Sequence, residues 1–84
     1  MRFSYKIVEV EWLDAQSGFG QAHFVEDLAD EKPIMTLSVG YLLYDCDDYL
    51  ILGFMLFGQD MVKHTQLIPR GMIKRIRAVR GLRK

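Results

Sequence analysis

The chain contains a single cysteine, Cys46, among its 84 residues. A disulfide needs two cysteines and a cysteine-based zinc site needs several, so both are excluded within this chain. Cytosolic proteins keep their thiols reduced and rarely contain structural disulfides. The cysteine content therefore fits a cytoplasmic protein, which is the location we expect.

Long apolar segments are also missing. The longest is YLILGFMLF, residues 49–57, which is less than half of the roughly 20 residues that a membrane-spanning helix needs. The start of the chain, MRFSYKIVEVEW, alternates charged and apolar side chains and lacks the apolar centre of a signal peptide. We therefore expect a soluble protein without a membrane partner.

Residues that could carry chemistry are few and scattered. The two histidines, His23 and His64, lie in different segments, and neither belongs to a zinc-binding or catalytic motif. Gly18 and Gly20 begin a glycine-rich pattern, but His23 stands where its third glycine would fall, and there is no P-loop. The sequence predicts no enzyme activity, no metal site and no cofactor.

Acidic residues are absent after Asp60. The chain has eleven acidic and eleven basic residues and a formal net charge of zero, but the two signs are separated along it. Residues 1–60 hold every acid and three bases, a charge of −8, and the last 24 residues hold the other eight bases. Such asymmetry is typical of anion or nucleic-acid binding, and it also allows one copy to dock on the next.

The pattern that the sequence does show is a period of two. In residues 6–13, Val8, Val10 and Trp12 occupy every second position, as in a half-buried strand. Turn-forming residues separate further runs of this kind. An insert ends at Pro33, and residues 23–32 within it read as a helix of one or two turns. Five strands are predicted, at residues 6–13, 34–46, 49–57, 61–68 and 72–79.

Five short strands with tight turns and one early helical insert predict a mainly-β fold. We expect a small closed or nearly closed barrel, in one domain over residues 1–84. Gly40 and Gly53 lie inside predicted strands, where a bend or bulge lets a small sheet curl. The run from Met72 onward also allows a helix, but its β-branched residues favour a final strand.

Three short motifs resemble those of a known group of proteins. They are Trp12-Leu13-Asp14, Ser38-Val39-Gly40-Tyr41-Leu42 and Ile68-Pro69-Arg70-Gly71-Met72-Ile73. Together they look like a family of small phage and prophage proteins, and the last motif resembles the close of an Sm-like or SH3-like barrel. The resemblance implies a small barrel of viral origin that works in a host cytoplasm. The chain departs from Sm proteins because its insert follows the first strand and an Asp-Gly-Asn type of RNA-binding turn is missing.

The run at residues 49–57 is apolar on both faces of its predicted strand. One face can fill the barrel, and the other needs a cover, because extended exposed apolar patches usually mark an interface. We expect a homo-oligomer whose interface contains Tyr49, Ile51, Met55 and Phe57. The alternative is that Phe24 and Leu28 of the insert cover this face within the same chain.

The basic run near the end of the chain is the predicted ligand site. Arginine forks hold phosphate oxygens in pairs, and no acid lies between these bases to cancel their potential. Phe19, between two glycines, is a candidate stacking platform for a base, although a plug over the barrel end is the commoner role of such a residue. The predicted phosphate-binding residues are Arg70, Lys74, Arg75, Arg77 and Arg80.

Three functions remain open at this point. The first is a non-catalytic oligomeric accessory protein of a phage that captures a phosphate-bearing host ligand, such as a nucleotide signal. The second is Sm-like RNA binding, which would depend steeply on salt. The third is a structural, scaffolding or host-protein-binding subunit, in which the basic run pairs with acids of the same chain or of a neighbour.

Overall fold

A computed structural model gives the fold and describes residues 4–15 and 22–79. The protein is mainly β, as predicted, and each predicted strand is found with its ends shifted by no more than one residue. Two 3-10 helices lie between strands, at Val25–Asp30 and Arg70–Met72. The strands are β1 (Ile7–Asp14), β2 (Ile34–Asp45), β3 (Tyr49–Phe57), β4 (Met61–Pro69) and β5 (Ile73–Ala78).

All five strands form one antiparallel sheet in the order β4-β3-β2-β1-β5. β4 and β5 are its two edges, and within the described residues no ladder joins them. The sheet is therefore open, and the closure that a barrel requires is not found. Residues 73–78 are a strand rather than the alternative helix, because they pair with β1.

β2 belongs to two halves of the sheet. Residues 34–41 of this strand pair with β1, whereas residues 41–45 pair with β3, with a register shift between Leu42 and Tyr44. The change of partner bends the sheet, so its two halves fold towards each other. The side chains that meet inside come from β1, β3 and β4: Val8, Val10, Trp12, Leu50, Leu52 and Ile68. Two strands separate β1 from β4 in the sheet. Ile68 of β4 can therefore join the core with residues of β1 only because the sheet bends.

Two glycines make the bend possible. A Cβ on Gly40 would lie 2.9 Å from the carbonyl oxygen of Gly53 and 3.1 Å from the ring of Phe54. A Cβ on Gly53 would lie 2.6 Å from Leu43 and 2.7 Å from Val62. These distances are below normal contact. The backbone of β3 can approach Gly40, and the side chains of Leu43 and Val62 can approach Gly53, only because both residues lack a side chain.

One buried hydrogen bond fixes the pairing of β1 and β2 from inside. The indole N–H of Trp12 donates to the hydroxyl of Ser38 at 3.0 Å, and both residues are buried. A buried indole donor without a partner would cost free energy, so Ser38 allows tryptophan at this core position.

The described part of the insert, residues 22–33, is exposed and does not cover the apolar face of β3. Its helical part is a single 3-10 helix, Val25–Asp30, and none of its residues is buried. Phe24 and Leu28, which were the alternative cover for the apolar face of β3, are both exposed. This segment also contains four acidic residues, which favour contact with solvent: Glu26, Asp27, Asp30 and Glu31. The apolar face of β3 is therefore without this cover.

We expect Gly40→Ala to lower the free energy of unfolding by about 1–3 kcal/mol, because the new methyl group meets a backbone oxygen that cannot rotate away. Gly71→Ala is the matched control, since a Cβ there would meet nothing within 4 Å. We expect the control to change stability by less than about 0.5 kcal/mol. Urea unfolding followed by tryptophan fluorescence measures both. Equal effects of the two substitutions would contradict the bend.

Candidate functional site

The basic face of β5 lies directly against acids of β1. The register places Arg77 opposite Glu9 and Arg75 opposite Glu11. Arg77 forms an ion pair with Glu9 at 2.9 Å, and Arg75 forms one with Glu11 at 3.2 Å. Opposite charges directly across two strands stabilise their pairing. Two of the predicted phosphate-binding arginines therefore already have carboxylate partners within the chain.

These arginines keep much of their surface in solvent. The side chain of Arg75 is 67% exposed and that of Arg77 is 63% exposed, whereas their glutamate partners are mostly covered. Lys74 is the extra residue where the register shifts, between Ile73 opposite Trp12 and Arg75 opposite Glu11. β5 thus presents two exposed arginines on one face, and a glutamate of β1 partly neutralises the charge of each.

Arg70 is part of a different arrangement, a clamp between two turns. Its guanidinium forms an ion pair with Asp45 and donates from Nε to the carbonyl oxygen of Cys46 at 3.1 Å. Its backbone N–H donates to the carbonyl oxygen of Asp48 at 2.9 Å. The three contacts tie the turn between β2 and β3 to the 3-10 helix before β5. Arg70 is therefore separate from the β5 arginines and serves the fold.

Two predicted site residues cannot be placed. Arg80 and Phe19 both lie outside the described residues. The structure thus groups Arg75 and Arg77, sets Lys74 at a bulge beside them, and assigns Arg70 to the clamp. The acids Glu9, Glu11 and Asp45 were not predicted as partners. The period of two in residues 6–13 puts Glu9 and Glu11 on one face, but nothing in the sequence shows that β5 lies next to them.

The predicted apolar interface is partly open to solvent. Tyr49 and Ile51 are half-buried, whereas Met55 and Phe57 are 50% and 41% exposed. A second apolar stripe, which was not assigned to an interface, lies on β2 at every second position. Its members are all exposed: Met35, Leu37 and Val39. The alternation in the sequence revealed this stripe, but it could not decide which face of β2 is exposed to solvent.

The tip of the β3–β4 hairpin is tied back by one side chain. The hydroxyl of Tyr5 donates to both carboxylate oxygens of Asp60 at 2.9 Å. This hydrogen bond raises the pKa of Tyr5 above its ordinary value of 10.0, because ionisation would remove the proton that Tyr5 donates to Asp60. Desolvation and the negative charge of Asp60 raise this pKa further. Asp60 has a positive φ of 62°, which fits its place in the tight turn.

Groups suited to holding a metal ion do not converge in the described part of the chain. No set of three or more His, Cys, Asp or Glu side chains there is arranged to hold a metal ion. A shallow depression of about 220 Å³ is lined by Ala15, Glu31, Lys32 and Pro33. Among residues 4–15 and 22–79, no helix has the length and apolar content needed to cross a membrane.

Comparison of the chain with protein-family models, with curated proteins and with solved structures finds no match.

We expect Arg70→Met to lower the free energy of unfolding by about 1–3 kcal/mol, because it leaves the carboxylate and the carbonyl of the clamp without their donor. Arg70→Lys should recover part of this loss, since an ammonium group keeps the charge but not the planar fork. Arg75→Met is the matched control, and its exposed pair should contribute about 0–1 kcal/mol. Urea unfolding of the three variants measures the differences. A control as destabilised as Arg70→Met would show that Arg70 is an ordinary surface arginine.

Proposed function

We propose that this protein is a non-enzymatic assembly subunit that works as a homo-oligomer through its exposed apolar sheet surface. The observation that carries the proposal is the exposure of apolar side chains on two strands, Met55 and Phe57 on β3 and Leu37 on β2, which the described residues of the insert leave uncovered. Exposed apolar side chains in such number are typical of interaction sites.

The small core supports the same conclusion. Half of the residues are hydrophobic, yet the buried hydrophobic core of the described residues consists of only six side chains. A chain with this composition and so small a core among its described residues gains most from burying exposed apolar side chains against another protein.

The charges fit a scaffolding role better than a dedicated anion site. Arg70, Arg75 and Arg77 each form an ion pair with a carboxylate of the same chain. A formal net charge of zero leaves little repulsion between copies. The phage origin, the host cytoplasm and the accessory role that the three motifs imply belong to this proposal and rest on the resemblance alone.

The first test is the subunit number. We expect light scattering after gel filtration, together with native mass spectrometry, to show an oligomer of the purified chain at micromolar concentration. Phe57→Lys should shift the protein to monomer, because it places a charge in the apolar contact. Val25→Lys is the control, since Val25 is 84% exposed on the insert. A wild-type chain that stays monomeric up to millimolar concentration would reject the proposal.

A second candidate is the capture of a phosphate-bearing ligand, and the exposure of Arg75 and Arg77 favours it. Each arginine uses a guanidinium nitrogen for its glutamate, so the rest of the fork can meet phosphate oxygens. Lys74 lies in the same strand and adds positive charge. A compact anion would have to compete with Glu9 and Glu11 for this surface.

Charge reversal on β5 tests the second candidate. If it is right, calorimetric titration with inorganic phosphate and with mononucleotides should show binding that Arg75→Glu with Arg77→Glu abolishes, while Lys63→Glu on β4 leaves it unchanged. Titration with a short single-stranded RNA at two salt concentrations identifies the Sm-like alternative, because each neutralised phosphate adds to the salt dependence. If the wild type binds none of these anions, phosphate capture is rejected and assembly stays as the proposed function.

A further inference from the structure

The bend in the sheet leaves two lengths of backbone without a neighbouring strand. β2 pairs with β1 over residues 34–41, but with β3 only over residues 41–45. The side of residues 34–40 that faces away from β1 therefore has no strand beside it in the described structure. The far half of β3 is in the same position, because residues 55–57 pair with β4 alone. We call these lengths the open edge of β2 and the open edge of β3.

The ladder shows which groups of β2 are unpaired. The N–H of Leu42 donates to the carbonyl oxygen of Lys6 at 2.8 Å, so the backbone groups of Leu42 point towards β1. In an antiparallel strand, successive residues direct their N–H and C=O groups to opposite edges. The open edge of β2 therefore presents the donors and acceptors of alternate residues: Met35, Leu37 and Val39.

The same alternation applies to β3. Tyr41 is the residue of β2 that directs its backbone groups towards β3, and its partner there is Gly53. Two and four positions further along, Met55 and Phe57 point in the same direction, away from β4. The open edge of β3 thus presents the donors and acceptors of these two residues.

Neither open edge is protected against pairing with another strand. Natural sheets blunt their edges with charged residues, proline or bulges. Residues 34–40 read IMTLSVG and residues 54–57 read FMLF, so neither contains a charge or a proline. The side chains beside the free backbone groups are apolar and exposed, with Leu37 61% exposed. Unpaired polar backbone next to apolar side chains is the surface that adds a strand.

We propose that two copies of this chain pair through these edges, the open edge of β3 in one copy adding antiparallel to the open edge of β2 in the other. The register continues that of the chain itself, in which Tyr41 lies opposite Gly53. Val39 of one copy then lies opposite Met55 of the other, and Leu37 opposite Phe57. A two-fold axis forms the ladder twice, since every copy carries both edges.

A second copy is the occupant because both edges belong to one chain and start at the same bend. Each edge has what the other needs: free donors, free acceptors and apolar side chains, without charge on either. The zero net charge also allows two copies to approach without repulsion. This inference rests on the homo-oligomer proposed above and specifies how its subunits meet.

Intermolecular disulfide formation tests the register. Val39→Cys and Met55→Cys are made in separate chains, each with Cys46→Ser, and the two purified proteins are mixed and oxidised. The hydrogen-bonded pair distance of about 5.5 Å lies within the range that a disulfide bridges. We expect the mixed dimer to form at least about tenfold faster than that of Val25→Cys with Met55→Cys, because pairing raises the effective concentration. Equal rates for the two mixtures would overturn the register.

A backbone substitution tests the ladder. Leu37→Pro removes an N–H of the open edge and leaves the bonds of β2 to β1, because the groups of Leu37 point the other way. We expect this variant to lose the oligomer, whereas Leu37→Thr, which keeps the N–H, retains it at somewhat higher concentration. Far-ultraviolet circular dichroism confirms folding, and the disulfide experiment stands if the proline variant does not fold.

The outcomes separate this inference from the proposed function. An oligomeric wild type in which Leu37→Pro still associates, and in which the selective disulfide is missing, overturns the edge pairing but keeps the assembly function. A monomeric wild type overturns both. Open-edge amides that gain protection from hydrogen exchange only when a different polypeptide is added overturn the second copy as the partner. Protection of Leu37 and Met55 amides that rises with protein concentration supports the proposal.

Discussion

The close approach of β2 and β3 at Gly40 and Gly53 is the constraint on which the rest of the structure depends. A single sheet has no second layer to cover its apolar side, so it must fold over itself to make a core. The bend brings Ile68 of β4 to Val10 and Trp12 of β1, although two strands separate these elements in the sheet. A side chain at Gly40 would press on the backbone of β3 and hold the two halves apart. The core therefore depends on a position that adds no side chain to it.

The same bend explains why so much apolar surface stays outside. Once β2 changes partner at Tyr41, its first half and the end of β3 diverge, and each keeps an unpaired edge. Phe24 and Leu28 of the insert could have covered this region, but both are exposed. The described residues thus form a bent sheet with a core of six buried hydrophobic side chains and leave other apolar side chains exposed. The assembly that we propose would continue folding, because the open edges of β2 and β3 lack the backbone hydrogen bonds that the paired parts of these strands have.

The division of charge along the chain has a different meaning in three dimensions. The acidic first part and the basic last part are far apart in sequence, but β1 and β5 are neighbours in the sheet. Glu9 therefore pairs with Arg77, and Glu11 pairs with Arg75. The formal charges of −8 on residues 1–60 and +8 on the last 24 residues are thus partly neutralised by ion pairs across the two strands. A basic run that reads as an anion site in one dimension is partly neutralised in the fold. Its remaining exposure is what keeps phosphate capture as a second candidate.

The sequence by itself determined the strands, because a period of two is a local signal that each segment carries independently. Val8, Val10 and Trp12 are buried as their spacing predicted, and residues 73–78 are the favoured strand. Only the tertiary structure decided that the sheet of the described residues stays open, that Phe24 and Leu28 are exposed, and that Arg75 and Arg77 face glutamates. These features depend on which strands become neighbours and how sharply the sheet bends at Gly40. Contacts between segments that are distant in the chain do not produce a periodic pattern in the sequence of either segment, so the sequence alone does not predict them.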